Sequence, residues 1–116
     1  MRFGRFAFGS IEVDGTTYEH DVVIERGTIR KRRKGPSKPM RERYGHTPLT
    51  AAEDIPWGCR RLVIGTGVDG RLPVADDIEE QATQRGVALT ILPTAEAIDE
   101  LGRDARDTNA ILHVTC

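Results

Sequence analysis

An α/β fold is predicted: a single three-layer domain over residues 1–116, an N-terminal antiparallel β-meander followed by β-α-β-α-β with a mixed sheet. Three observations carry the prediction. Polar and apolar residues alternate between the turn signals Asp14-Gly15 and Arg26-Gly27, as they do in half-buried antiparallel strands. Further on, three short apolar runs are separated by stretches of helical periodicity, the spacing of parallel strands joined by right-handed crossovers. A composition of 38% hydrophobic and 30% charged residues in a chain of 116 fits one globular core, not a disordered chain.

Taken in order, Phe6 to Val13 is rich in aromatic and β-branched residues and reads as the first strand. From Thr17 to Glu25 the period is two, with Tyr18, His20, Val22 and Ile24 on one face; only Val23 breaks it. A shorter strand follows near Thr28 to Arg32. Gly35, Pro36 and Pro39 then deny the next segment a continuous helix or a central strand. Thr50-Ala-Ala-Glu53 matches a capping box and predicts a short helix that Pro56 ends. Arg60 to Ile64 is an apolar strand. A second helix spans Ala75 to Arg85, acidic at its start, with Arg85 near its end and Gly86 as C-cap, which suits the helix dipole. Val87 to Leu92 reads as a strand covered on both faces. Thr94 caps a third helix with Ala97, Ile98, Leu101 and Ala105 as its buried stripe, and Ala110 to Thr115 is the last strand.

The charge is unevenly placed. Residues 30–43, RKRRKGPSKPMRER, hold eight of the seventeen basic residues and one acid, so this segment is +7 while the rest of the chain is −8. An acidic remainder argues against a protein that coats nucleic acid over its whole surface. No apolar run approaches the ~20 residues that cross a bilayer, which predicts no membrane insertion. The opening MRFGRFAFGS lacks the apolar core of a secretory signal, so a cytoplasmic location is expected. Cys59 and Cys116 show neither metal-ligand spacing nor a disulfide framework, and reduced thiols are expected.

The stretch VIGTGVDG places Gly65, Gly67 and Gly70 in the G-x-G-x-x-G spacing of dinucleotide-binding turns. Three requirements of such a site fail. Pro73 delays the following helix, Asp76 and Asp77 put negative charge where a pyrophosphate would lie, and Ile91-Leu92-Pro93 stands where a ribose-binding acid belongs. No cofactor is expected. Gly65-Thr66-Gly67 still lies at the carboxyl end of a buried strand, where open α/β sheets bind ligands. There it either forms a small anion pocket with Thr94, Arg43 and His46, or serves only as a turn that packs closely.

The runs LVIGTG, ILPTAEAIDELGR and ILHVTC, with the opening FGSIEVDGTTYEHDVVI and the linking RYGHTPLTAAEDI, resemble the small Mth-type domain family over essentially the whole chain. That family includes the adipogenesis-associated domain protein and, more distantly, mitochondrial complex I assembly factor three. The resemblance implies a compact three-layer α/β fold, no established catalytic activity, and roles in assembly or signalling through protein contacts. Leu101-Gly102 stands where many relatives carry an aromatic-Asn pair, so no role of that pair transfers.

Two surfaces are candidates for function: the pocket of Arg43, His46, Gly65, Thr66, Gly67 and Thr94, and the basic loop of Lys31, Arg32, Arg33, Lys34, Lys38 and Arg41. His20 is expected as a hydrogen-bonded core residue. His113 and Cys116, three apart on a strand, are expected on opposite faces and so not as base and nucleophile. No Ser-His-Asp order, paired carboxylates or metal cluster stands out. The leading expectation is a non-enzymatic protein-interaction or assembly module with an unknown protein partner. The alternatives are a protein or enzyme binding a small anionic metabolite at the glycine edge and, behind it, nucleic-acid binding through residues 30–43. Oligomeric state is left open.

Overall fold

A computed structural model describes residues Met1–Cys116. Eight strands and three α-helices form two sheets with helices against them: β1 (Phe3–Ala7), β2 (Ser10–Val13), β3 (Thr16–Tyr18), β4 (Val22–Glu25), β5 (Thr28–Lys31), α1 (Arg41–Tyr44), β6 (Arg61–Thr66), α2 (Asp76–Arg85), β7 (Ala88–Leu92), α3 (Thr94–Arg103) and β8 (Thr108–His113). β1, β2 and β3 make an antiparallel three-stranded sheet. The other five strands form a mixed sheet in the order β5-β4-β8-β6-β7. As expected, β6 is parallel to both β7 and β8, whereas β4 is antiparallel to β5 and β8.

The five-stranded sheet carries an apolar cluster on each face. On one, Val22, Ile24, Val63, Ala110 and Leu112 pack with Ile11 and Val13 of the small sheet and Ala97 and Leu101 of α3. On the other, Val23, Leu62, Ile64 and Ile111 pack with Ile78 and Ala82 of α2 and with Leu49, Ile55 and Leu72 from loops. Val23 therefore does not break a pattern. It lies on an inner strand buried on both faces, where alternation disappears.

Several boundaries differ from the sequence reading, each for a local reason. The first strand is two, because Gly9 at φ 88° turns the chain after Phe8. The run from Thr17 to Glu25 is also two strands, bent at Glu19-His20, which moves the chain from one sheet to the other. The residues around Pro36 and Pro39 form a 3-10 turn, Gly35–Met40, running into α1. No helix follows Thr50, where only one turn closes through the Glu53 amide on the Thr50 carbonyl at 3.2 Å. There the Thr50 hydroxyl bonds Ser37 and accepts the Ala52 amide at 3.3 Å, but the Glu53 carboxylate is drawn to Arg32 and Ser37 and cannot return to the Thr50 amide to complete a capping box. Thr94 is the first residue of α3, not a side-chain cap, because its hydroxyl is engaged elsewhere. Finally, β7 is an edge strand and not covered on both faces: Ile91 is 44% exposed.

This layout yields a paired test. Ile64→Ala, at a fully buried position, is expected to lower stability by about 2–5 kcal/mol in urea unfolding. Ile91→Ala should stay within about 0.5 kcal/mol of the parent. Equal losses would contradict the assignment of β7 to the edge.

Candidate functional site

Arg32 anchors the site. Its amide donates to the Asp21 carbonyl at 3.0 Å, so the chain leaving β5 stays beside the start of β4. Its side chain, 2% exposed, turns inward. Nε and Nη2 donate to the two carboxylate oxygens of Glu53 at 2.8 and 2.9 Å, Nη1 to Asp21 Oδ2 at 2.9 Å, and Nη2 also to the Pro48 carbonyl at 3.0 Å. Ser37 adds its hydroxyl to Glu53 at 2.6 Å. Burial alone would lower the Arg32 pKa, but the Glu53 and Asp21 carboxylates raise it above its usual value. Such a network holds when every member is satisfied, and removing one member leaves a buried charge at a cost of about 3–5 kcal/mol.

Asp21 links this network to the end of β8. Its Oδ1 accepts the Val114 amide at 2.9 Å, and Oδ2 accepts His113 Nδ1–H at 2.8 Å. Burial would raise the Asp21 pKa; the hydrogen bond and charge of His113, with the Val114 amide and Arg32, outweigh it and hold the carboxyl at about 2. An ionised carboxylate only accepts, so the proton of a neutral His113 ring sits on Nδ1 and Nε2 carries a lone pair. Nε2 lies 3.1 Å from Thr115 Oγ1 and 3.8 Å from Cys116 Sγ. The strand ends at His113, so the chain no longer alternates beyond it. This corrects the expectation that His113 and Cys116 face opposite ways. It also supplies an acid, an imidazole and a nucleophile that no sequence order revealed.

Above these residues opens a cleft of about 590 Å³. Lys34, Lys38 and Arg41 from the 3-10 turn and α1, with His46, line one side, and His113, Thr115 and Cys116 line another. Arg32 lines its floor, and no acidic side chain is among the lining residues. Of the pocket residues taken from sequence, only His46 is here. Arg43 stacks on Tyr44, 5.7 Å from the ring centre. Of the basic loop, Lys34, Lys38 and Arg41 reach the cleft, Lys31 and Arg33 are exposed away from its lining, and Arg32 is buried in the ion-pair network rather than offered to solvent. His20 is hydrogen-bonded as expected, its Nδ1 2.9 Å from the Asp21 carbonyl, but it is half-buried at the bend before β4 with its ring edge-on to Tyr18, not in the core.

The glycine edge is filled by the chain itself. Thr94, fully buried, donates its hydroxyl to the His113 carbonyl at 2.7 Å and accepts the Gly67 amide at 2.8 Å. Thr66 donates to the Leu92 carbonyl at 3.1 Å. A side chain at Gly65 would meet Thr94, and one at Gly67, held at φ 105°, would overlap the Cys116 backbone. The Val68 amide donates to Thr115 O at 2.7 Å, and those of Asp69 and Arg71 to Cys116 O at 3.2 and 3.0 Å. The G-x-G-x-x-G turn thus seats residues 115–116 instead of a pyrophosphate.

Solved structures place the whole arrangement among known proteins. A conserved hypothetical protein from Pyrococcus horikoshii OT3 is 27% identical, with a TM-score of 0.81 over 100% of both chains. A protein called MT938 is 29% identical, with a TM-score of 0.68 over 98% of this chain and 97% of that one. These likenesses support an Mth938-type domain. A Bordetella pertussis protein described as an Mth938-like domain shares this fold at 17% identity, with a TM-score of 0.60 over 97% and 84% of the two chains. No protein-family model and no curated protein matches the chain. Of these three names only the last states a fold, and none states an activity.

The Asp21 carboxyl, at about 2 against an ordinary 3.8, stabilises the fold only when ionised. Its contribution of about 2 kcal/mol is complete above the unfolded-state value and is lost as pH falls through the folded one. Urea unfolding from about pH 4 to pH 2 should therefore show a steeper loss for the parent than for Asp21→Asn, by about 2 kcal/mol over the range. Parallel curves would contradict the assignment.

Proposed function

We propose that this domain binds a small anionic ligand, one bearing phosphate or carboxylate groups, in the cleft above Arg32 and His113. The observation that supports it is the lining: Lys34, Lys38, Arg41 and two histidines around a space of about 590 Å³, with no acidic side chain facing in. The volume suits a metabolite-sized molecule, and low-dielectric walls lined with one sign of charge concentrate counter-ions. The cations surround a cavity instead of following a stripe, and Arg32 is held by Glu53 and Asp21, which favours a compact anion over a nucleic-acid backbone. The ligand therefore sits beside the glycine loop, on the far side of residues 115–116 from it.

A protein-contact module is the second reading, and Phe8 favours it. This side chain is 69% exposed at the turn between β1 and β2, a position that contact with a partner would cover. It makes no use of the cleft.

Isothermal calorimetry with inorganic pyrophosphate at low salt distinguishes the two. Binding is expected that weakens as salt is raised, and Lys38→Glu with Arg41→Glu, both exposed, should lower affinity roughly tenfold or more without changing thermal stability. No heat of binding, or binding indifferent to that charge reversal, would overturn the anion reading.

A further inference from the structure

Cys116 is half-exposed, lines the basic cleft and has its sulfur 3.8 Å from His113 Nε2. That nitrogen is the acceptor of the neutral ring, because the Asp21 carboxylate takes the proton on Nδ1 at 2.8 Å. A base oriented by a third group and facing a thiol is the arrangement that activates a nucleophile. Thr115 shares the same nitrogen at 3.1 Å, but its secondary hydroxyl is a far weaker nucleophile than a thiol at neutral pH.

The surroundings decide which electrophile fits. Acyl transfer needs donors for a developing oxyanion. The nearby amides of Val68, Asp69 and Arg71 are already engaged with the Thr115 and Cys116 carbonyl oxygens. Exchange at a disulfide needs no oxyanion hole, only a thiolate, access and a leaving thiol. Lys34, Lys38 and Arg41 around the opening add a preference for negative charge.

We propose that Cys116 is a site of thiol–disulfide exchange with small anionic disulfides, His113 serving as its base, a step that rests on the anion-binding reading of the same cleft. The Cys116 thiol gives its proton to His113 Nε2, and the thiolate attacks one sulfur of the disulfide. The S–S bond breaks, its electron pair leaves on the departing sulfur, and that sulfur takes the proton back from His113. The thiol of Cys116 becomes a mixed disulfide, and the incoming disulfide releases one thiol.

Glutathione disulfide as the anionic probe and cystamine as the cationic one test this by intact-mass and peptide mass spectrometry. Cys59 is the internal reference, a thiol bonded to the Pro56 carbonyl and pushed up in pKa by burial. Relative to Cys59, Cys116 is expected to react roughly tenfold faster with glutathione disulfide than with cystamine. That preference should fall with salt and with Lys38→Glu plus Arg41→Glu, two exposed positions that leave the fold intact. His113→Gln should slow Cys116 with both probes while leaving Cys59 unchanged. Equal reactivity of the two cysteines, or no response to His113→Gln in a variant that unfolds cooperatively, overturns the exchange site. Pyrophosphate calorimetry on the same sample separates the two failures. Binding with an inert Cys116 sinks the thiol proposal alone, whereas no binding sinks the anion reading beneath it.

Discussion

One carboxylate holds the site together. Asp21 Oδ2 accepts from both Arg32 and His113, and Oδ1 from the Val114 amide, so a single residue at the bend before β4 ties the end of β5 to the end of β8. Through Arg32 the same bond set reaches Glu53, Pro48 and Ser37, fastening the loop after α1 and the 3-10 turn before it to the sheet. Charges this far from water are tolerated only because each is paired: Arg32 gives four of its five N–H groups to Glu53, Asp21 and Pro48. No buried side-chain nitrogen or oxygen lacks a partner. The walls of the cleft are thus placed by a network below it, and the cations at its rim are left free for a ligand.

A second constraint acts from the other side. The tight turn at Gly67 seats residues 115–116 with three amides, and the Thr94 hydroxyl joins that turn to the end of β8. Residues 113–116 are therefore held from both directions: His113 by Asp21, and Thr115 and Cys116 by the glycine turn. Without the turn, Thr115 and Cys116 would have no fixed place beside the imidazole. The glycines matter to the site by shaping the segment that lines it, not by meeting a ligand themselves.

Much of the fold was legible because it rests on periodicity. The apolar runs of β6 and β8, the stripes of α2 and α3, and the Asp14-Gly15 and Arg26-Gly27 turns are local signals, and each stands where local rules place it except Ala105, which lies exposed beyond the end of α3. The misread boundaries were decided elsewhere in the chain. The capping box at Thr50 failed because a guanidinium from β5 claimed Glu53, and β7 proved an edge because strand order is not written in a strand's own residues. The site was legible in part for the same reason. Lys34, Lys38 and Arg41 announced a basic segment and His46 was expected at the glycine edge, but a run of like charges gives no sign that Arg32 alone turns inward. Asp21 and His113 lie 92 residues apart, and only the pairing of β4 with β8 brings them together.

The claim on which the rest turns is that Asp21 fixes the orientation and tautomer of His113. Nitrogen-15 NMR of the imidazole, recorded at a pH where the ring is neutral, reads this directly. The account predicts a proton on Nδ1, slowed in exchange by its bond to Asp21, and a bare Nε2 facing Thr115 and Cys116. A ring protonated on Nε2, or one averaging freely between tautomers, would contradict it.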